Sequence, residues 1–474
     1  MTINALESAK SCYNSMARVG IKDEVKPYLL GLIWCYLNEL EETLGRRIDF
    51  DTVHERLKLM TMGELELELL SGYHKWFRAG FHREENIKYL MGIVWKDATT
   101  TVERLQAEEM LGVVMAVWKL WKTYREDMYD FLGFFLSVLC EGKESKNEVY
   151  TPDHIGGFLC EVLGVDKNTV VLDPTCGTGA LLLQANRYQL KDCVELSDVR
   201  NTFDNVLGIE CKRTTYEIAS LNMACQNNGV ANIWHGSCFD MDDKIKKLRP
   251  DVILMNPPYN THISDVPEDY RREWGNVKGT EEPTKGLVFV RYISDLVSEY
   301  NDHHEAKWLP KLAVIVPTSA AIGNGKVLQG VRESLLRDNT LDAVFSLPEG
   351  LFYPCASVSV VAMVFNMGVP HCDENGDVKR ETFFGYYKDD GFKNKKGLGR
   401  AESPGWQAGI SREWVYLYEH REPRDGKSAV MKVKASDEWL CEAYMKTDYS
   451  KLTAQDFEQT VRNYVAYQIK TGKI

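Results

Sequence analysis

Apolar residues recur at intervals of three and four positions through the first third of the chain. The pattern is clearest over residues 23–44 and 102–121, where charged residues occupy the positions in between. Such spacing places apolar side chains on one face of an α-helix. Glycine and proline are sparse here, so we predict an all-helical N-terminal domain over residues 1–146. We expect its apolar stripe to form its own core.

The pattern changes after a charged stretch at residues 141–148, which is typical of a linker. Short apolar runs then alternate with helical segments, as expected when parallel strands are buried on both faces. The alternation predicts an α/β fold with a Rossmann-like, doubly wound sheet over residues 147–390. Strands are expected at residues 169–172, 206–210, 232–235, 252–255, 311–317, 357–366 and 383–388.

Residues 391–474 are predicted to form a loop region and a helical tail. Loops rich in Lys, Asp and Gly surround the strand at 383–388, and a basic cluster follows them: Lys393, Lys395, Lys396 and Arg400. A solvated loop is the favoured interpretation of this cluster, and phosphate contact is the alternative. A last helix over residues 453–470 has one apolar face: Phe457, Val461, Tyr464, Val465 and Ile469.

Composition narrows the class of protein. The 474 residues are 44% hydrophobic and 27% charged, as in ordinary globular proteins, and no apolar run is long enough to span a bilayer. The 12 cysteines form no metal-binding spacing, so we expect reduced thiols and a cytoplasmic location. A net charge of −12 argues against nucleic-acid binding by the whole surface, although a local basic channel remains compatible with it.

The strand at 252–255 ends in Asn256-Pro257-Pro258-Tyr259. Two prolines stop a strand and fix a rigid turn at the sheet edge where ligands bind. The Asn256 side-chain carbonyl and the Pro257 backbone carbonyl can accept both hydrogens of a planar amino group, and the Tyr259 ring can stack on a heterocycle. Two such acceptors aim the lone pair of a ring-conjugated amine at an electrophile. Taken alone, the sequence is equally compatible with a simple turn.

A glycine-bearing turn follows the strand at 169–172, between Asp173 and Gly179. Glycine lets the backbone approach a ligand closely. The turn does not match the dinucleotide or phosphate-loop patterns, and Asp173 would repel a pyrophosphate. It suits a cationic ligand that bears an amino acid. The strand at 206–210 ends in Glu210, an acid placed to accept both hydroxyls of a ribose.

Upstream of this turn, Tyr150-Thr151-Pro152 predicts a helix start, with Thr151 as the cap and Pro152 in the first helical position. Tyr150 would then lie just ahead of the helix. There its ring can contact a ligand held by the neighbouring turn.

Together these segments resemble those of S-adenosylmethionine-dependent DNA adenine-N6 methyltransferases, and more narrowly the methylation subunits of type I restriction-modification systems. The resemblance covers about residues 150–387, and four motifs occur in the family's order. A downstream Leu347-Pro348 to Phe352 segment also matches. The concurrence of motifs is far more specific than any one of them.

The resemblance implies the roles of individual residues. S-adenosylmethionine would contact Tyr150, Thr151, Asp173, Thr175, Gly177, Thr178, Gly179, Glu210, Ser237 and Asp240. The target N6 would be oriented by Asn256 and Pro257, and the flipped base would contact Tyr259, Pro258 and Phe352. Core packing is an equally good interpretation of Phe352. The implied reaction needs no metal.

One position departs from the family pattern. Many relatives have an acid where this chain has Ser237, and that acid would bind the amino group of the cofactor adenine. Asp240 is the candidate substitute, with Cys238 or Phe239 against the adenine ring.

The resemblance also implies partners: double-stranded DNA, a separate specificity subunit and a restriction subunit in a hetero-oligomer. In the resembled subunits the helical ends dock on the specificity subunit, which makes the apolar face of the helix at 453–470 a candidate docking surface. Packing of this face within the chain's own fold is an equally good interpretation. After the catalytic segment only about a hundred residues remain, without the size or strand-rich character expected of a target-recognition domain. Two alternatives stay open. One is an RNA or protein-glutamine methyltransferase, which shares the amine chemistry, and the other is an inactive DNA-binding scaffold of a defence complex.

Overall fold

The computed structural model describes residues 1–77, 79–80, 106–136, 151–226, 229–275, 277, 279–402, 405–448 and 453–471. Helices dominate the first part of the chain and then alternate with strands. The helices are α1 Ile3–Arg18, α2 Lys26–Leu44, α3 Phe50–Leu57, α4 Met62–Trp76, α5 Ala107–Tyr124, α6 Phe131–Phe134, α7 Asp153–Leu163, α8 Ala180–Lys191, α9 Leu196–Asp204, α10 Arg213–Gln226, α11 Asp242–Leu248, α12 Glu268–Trp274, α13 Leu287–His303, α14 Thr318–Ile322, α15 Lys326–Asp338, α16 Ser411–Glu419 and α17 Ala454–Lys470.

The strands are mostly short and their residues largely apolar. They are β1 Ala79–Gly80, β2 Val171–Asp173, β3 Val206–Glu210, β4 Val230–Ala231, β5 Ile233–His235, β6 Val252–Met255, β7 Lys311–Pro317, β8 Thr340–Ser346, β9 Val360–Asn366, β10 Thr382–Tyr386, β11 Phe392–Lys395, β12 Gly399–Glu402 and β13 Ser428–Met431. All four residues of β6 are buried, which explains its unbroken apolar run.

Nine of these strands form one sheet in the order β13-β10-β8-β9-β7-β6-β2-β3-β5. Strand β9 runs antiparallel to β7 and β8, and β13 runs antiparallel to β10, while the other neighbours are parallel. The predicted doubly wound α/β sheet is therefore confirmed. The chain builds outward from β2 through β3 to β5, and then crosses to β6 on the other side. Ligands bind in the crevice at such a reversal, outside the carboxyl ends of the strands.

The N-terminal helices pack on the sheet's own helices rather than standing apart. One apolar cluster joins residues of α1 to α6 with residues of α8, α10 and β5. Helix α2 crosses α10 closely at Gly31, where an added Cβ would lie 2.4 Å from a Leu221 methyl carbon. The predicted domain boundary at 146/147 falls outside the described residues and stays a prediction.

Residues beyond position 391 also contribute to the sheet. Strand β13 adds to its edge beside β10, and Trp439 is fully buried in the core on one face. Helix α16 packs Trp414 against Phe158 of α7, with ring centroids 5.5 Å apart. The sequence pattern did not reveal this edge strand.

Helix α7 starts one position later than predicted. Pro152, and not Thr151, is the residue that flanks the helix, and it makes no side-chain cap hydrogen bond. The prediction of Thr151 as the cap is therefore wrong, because its hydroxyl is engaged elsewhere. Over the described ranges, no helix is both long and apolar enough to cross a membrane.

We expect the N-terminal helical layer to contribute to stability through α4. Leu69 is fully buried on this helix, whereas Leu67 on the same helix is 69% exposed. Leu69→Ala should lower the free energy of unfolding by about 2–5 kcal/mol, because it leaves a cavity. Leu67→Ala, the matched control, should change it by less than about 0.5 kcal/mol. Urea unfolding followed by circular dichroism measures both, and equal midpoints would contradict the packing described.

Candidate functional site

The crevice at the sheet reversal lies outside the carboxyl ends of β2 and β6. These two strands pair in parallel, with Val171 opposite Val252 and Leu172 opposite Ile253. The glycine turn leaves β2 and the Asn256 turn leaves β6 at the same edge. The fold therefore brings together two motifs that are about 80 residues apart in the sequence.

The Asn256 side chain is held from both sides. Its Nδ2 donates a hydrogen bond of 2.9 Å to Thr151 Oγ1, and its Oδ1 accepts one of 2.6 Å from the Tyr259 hydroxyl. The first contact fixes the amide so that Oδ1 points towards Tyr259. The Tyr259 hydroxyl uses one of the two lone pairs of Oδ1, so Oδ1 retains a second acceptor site for a substrate amine.

The backbone segment that packs beside Pro257 is held by a buried carboxylate that the sequence reasoning missed. Glu282 is fully buried, and it accepts hydrogen bonds from the backbone N–H groups of Thr284 and Gly286. An added Cβ at Gly286 would lie 3.2 Å from Pro257 Cγ, so the backbone approaches the turn closely there. The arrangement gives the amide-bearing turn a rigid backing.

The glycine turn is organised by two carboxyl groups. Asp173 is 1% exposed, and its Oδ1 accepts a hydrogen bond of 2.9 Å from the Thr175 backbone N–H. Glu210 at the end of β3 accepts one of 3.0 Å from the Gly177 N–H. Gly177 and Gly179 both have positive φ, at 54° and 87°, which glycine adopts without strain. Four residues predicted to bind the cofactor thus form two hydrogen-bonded pairs within this turn and its neighbour.

Burial changes the chemistry of Asp173. The pKa of its carboxyl is raised to about 8 by burial; the hydrogen bond from Thr175 opposes the shift, and the Glu210 charge adds to it. A carboxyl group in this state gains from a cationic ligand, because the ligand's charge compensates the ionised form. The site therefore favours a cation over an anion next to Asp173.

The Thr178 hydroxyl donates a hydrogen bond of 2.7 Å to Asp130 Oδ2, and Asp130 comes from the N-terminal helical part. Asn222 Nδ2 donates to Asp130 Oδ1 at 2.6 Å and to the Thr178 carbonyl at 3.0 Å. The Gly133 N–H completes the set at 2.6 Å. One buried acid thus connects α6, the glycine turn and α10.

Asp130 is fully buried, and burial raises the pKa of its carboxyl to about 7, against the hydrogen bonds from Thr178, Gly133 and Asn222. Sequence reasoning missed it, although a signal was present. An acid between Tyr129 and the apolar residues Phe131 and Leu132 must find partners when it is buried. The sequence does not reveal which partners these are.

The segment after β5 is placed at the same edge. Ser237 Oγ accepts a hydrogen bond of 3.3 Å from the Phe239 N–H, and Asp240 is exposed at the end of the short turn. The Phe239 ring stacks on Phe289, with centroids 5.0 Å apart. Cys238 is buried, and its carbonyl accepts a hydrogen bond from the Tyr292 hydroxyl. The role of this segment towards an adenine ring stays a prediction.

The remaining predicted residues differ in exposure. Phe352 is 2% exposed and belongs to an apolar cluster with Leu347 and Leu351, whereas Pro258 is exposed. Core packing accounts for Phe352 as it stands, and its contact with a base stays a prediction. Tyr150 lies outside the described residues.

Comparison with known proteins identifies the family. The sequence model of the N-6 DNA methylase family matches residues 124–405, more than half of the chain. The type II restriction enzyme and methyltransferase RM.BcgI of Heyndrickxia coagulans is 29% identical, over 72% of this chain and 50% of that protein. The type I restriction enzyme MjaVII methylase subunit of Methanocaldococcus jannaschii is 24% identical, over 52% of this chain and 42% of that protein.

The chain thus spans about half the length of the curated relatives it matches. Among solved structures, the type I restriction-modification methyltransferase subunit of Streptococcus thermophilus superimposes with a TM-score of 0.58 at 16% identity. That likeness covers 94% of this chain and 99% of the other, and it supports the fold alone. On the match over residues 124–405, this chain belongs to the N-6 DNA methylase family.

Proposed function

We propose that this chain transfers a methyl group from S-adenosylmethionine to N6 of a flipped adenine in double-stranded DNA, as the modification subunit of a type I-like complex. The observation that carries the proposal is the position of Asn256. Its amide is fixed by Thr151 at the end of β6, beside the Asp173 and Glu210 cluster at the ends of β2 and β3.

The crevice residues fit S-adenosylmethionine. The buried Asp173 carboxyl, with its pKa raised to about 8, suits the ligand's amino-acid cation, and Glu210 suits the ribose hydroxyls. The cofactor, when bound, supplies an electrophilic methyl on a sulfonium. Gly177 and Gly179 leave the backbone of the turn free of side chains, so a ligand can approach it.

The Asn256 turn supplies the geometry for the amine. Asn256 Oδ1 and the Pro257 carbonyl accept the two N6 hydrogens, which favours the tetrahedral form of the amine. Positioning amine and methyl in line can supply about 7–11 kcal/mol of barrier reduction. Extruding the base costs a few kcal/mol, and stacking on the Tyr259 ring offsets part of it. The methylated amine loses a proton readily, so we assign no strong general base.

Sequence choice, in this proposal, belongs to another chain. Helix α17 has no buried residue, and its apolar face is exposed. Such a face is a candidate surface for a specificity subunit, with a restriction subunit as a further partner. We assign residues 1–146 to a helical domain, 147–390 to the catalytic domain and 391–474 to a C-terminal region that adds β13 to the sheet and ends in the candidate docking helix. The type I relative is itself named as a methylase subunit.

The proposal is tested by mapping N6-methyladenine. The chain is expressed in cells that lack adenine methylation, alone and with the product of its neighbouring gene, and the DNA is sequenced by a long-read method. We expect a methylated sequence motif only when both proteins are present. Soluble protein that binds S-adenosylmethionine but modifies no adenine in either strain would exclude DNA adenine as the substrate.

Asn256→Ala should abolish the methylated motif in the same mapping experiment, because it removes the acceptor that orients N6. A loss of at least about 100-fold in rate is expected from removing a group that acts on the transition state. Asn375→Ala is the matched control. Asn375 is exposed and precedes β10, at the opposite edge of the sheet, so it should leave methylation unchanged.

The two functions of Tyr259 can be separated. Tyr259→Phe keeps the ring but removes the hydroxyl that donates to Asn256 Oδ1, so methylation should persist at near wild-type rate. Tyr259→Ala removes the stacking face, worth about 1–3 kcal/mol per base. It should raise KM for DNA by about 5- to 150-fold, measured as tritiated methyl transfer by the purified complex. Equal loss in both variants would contradict the stacking role.

Cofactor affinity should depend on pH through Asp173. Below about pH 8 the free protein holds this carboxyl protonated, so binding a cation must first release the proton. Affinity should therefore rise as pH increases from 6 to 8, by up to about tenfold per unit, and level off above 8. Asp173→Asn should bind weakly with no such rise, and Asp243→Asn, at an exposed position, should behave as wild type. Calorimetric titration measures all three.

A further inference from the structure

The hairpin formed by β11 and β12 follows a strand whose carboxyl end lies on the same side of the sheet as the Asn256 turn. It follows β10, which is parallel to β8. Strand β9 is antiparallel to both β8 and β7, and β7 is parallel to β6. Strands β10 and β6 therefore point the same way, and the segments that leave their carboxyl ends lie at the same edge.

A buried ion group anchors the base of this hairpin. Arg400 Nη2 lies 2.5 and 2.7 Å from the two Asp390 carboxylate oxygens, and His154 Nε2 lies 2.8 Å from Asp390 Oδ2. The His154 ring stacks on Phe392 with centroids 3.7 Å apart. All three ionisable side chains are less than 10% exposed. Burying such charged groups has a desolvation cost. Their hydrogen bonds tie the hairpin to Asp390 and His154 in one orientation.

The anchor also connects the hairpin to the candidate site. His154 follows Thr151 by three residues, and Thr151 holds the Asn256 amide. Arg400 Nη1 donates to the Glu349 carbonyl at 3.1 Å, in the segment that leads to Phe352. The hairpin is thus fixed to the segment that carries Thr151 and to the segment that leads to Phe352.

The hairpin carries three exposed lysines. Lys393, Lys395 and Lys396 are exposed, and across the parts of the chain that the structure describes none of them forms an ion pair. Side chains alternate along a strand, so Lys393 and Lys395 share the face opposite Phe392. Lys10 of α1 adds a fourth charge, because its Nζ donates to the Gly397 carbonyl at 2.9 Å. In a chain of net charge −12, this is a local positive surface.

We propose that this lysine hairpin, residues 392–402, binds the phosphate backbone of duplex DNA and holds it over the crevice. The inference rests on the proposed function and adds the residues that contact the phosphates: Lys393, Lys395 and Lys396. Arg400 is excluded, because its guanidinium is paired with Asp390 inside the protein. Phosphate contacts fix the register of a duplex and carry no sequence information, which fits a chain whose sequence choice is made elsewhere.

The test is the salt dependence of DNA binding. The full chain, co-purified with the product of its neighbouring gene, is titrated with a fluorescent 30-base-pair duplex at several salt concentrations. The variant Lys393→Gln/Lys395→Gln/Lys396→Gln is compared with Lys244→Gln/Lys247→Gln/Lys307→Gln. The control lysines are exposed and belong to segments that precede β6 and β7. The slope of log K against log salt is negative, and each lost phosphate contact reduces its magnitude by about 0.9.

We expect the hairpin variant to reduce the magnitude of the slope by about 2–3 units and the control variant to leave the slope unchanged. Both should bind S-adenosylmethionine as wild type does. An unchanged slope in the hairpin variant overturns the inference. So does loss of the co-purified partner with an unchanged slope for the protein that remains, since the lysines would then serve a protein interface.

Failure of the proposed function has a different result. If the wild-type complex methylates no adenine, the methyl-transfer proposal fails, whereas the slope difference between the two variants still decides whether the hairpin contacts DNA. If the wild type methylates and the slopes are equal, only the hairpin inference fails.

Discussion

The carboxyl ends of β2 and β6 lie side by side because the chain reverses its winding direction between these two strands. Strands on either side of such a reversal send their following segments apart, which leaves a crevice between them. In this chain one segment is the glycine turn with Asp173, and the other is the Asn256 turn. The Asp173 carboxyl, which we assign to a cation, and the Asn256 amide, which we assign to an amine, therefore lie at the carboxyl ends of neighbouring strands. The helices and the outer strands pack against β2 and β6 and hold the two turns in position.

Two carboxyl groups near this crevice are buried, and burial disfavours their ionised forms. Burial raises the pKa of Asp173 and of Asp130, so the folded protein disfavours charges that the unfolded chain carries at neutral pH. At low pH, where both carboxyl groups are protonated in the folded and the unfolded protein, this cost is absent. The folded protein therefore loses stability as pH rises from the ordinary pKa of a carboxyl towards the raised values. Hydrogen bonds from Thr175, Thr178 and Asn222 offset part of the cost. The neighbouring apolar core, which joins the N-terminal helices to α10, supplies stabilisation.

Sequence patterns predicted those parts of the fold and site that depend on local chemistry. The apolar run at 252–255 was predicted to be a strand that stops before Pro257 and Pro258, and β6 occupies these residues. Contacts between distant residues were not predictable in this way. Thr151 has the local pattern of a helix cap, yet its hydroxyl binds Asn256, 105 positions away. Asp130 meets Thr178 across 48 positions, and β13 joins the sheet only because β10 offers it an edge. Periodicity contains no information about such pairings.

The most direct measurement of whether the two turns form one site with separate functions is S-adenosylmethionine binding by three proteins: wild type, Asp173→Ala and Asn256→Ala. We expect wild type and Asn256→Ala to bind with similar affinity, because the proposal assigns Asn256 to the amine and not to the cofactor. We expect Asp173→Ala to bind at least about tenfold more weakly, since it lacks the group that compensates the ligand's charge. Equal affinity in all three proteins, or a loss confined to Asn256→Ala, would contradict this division of roles.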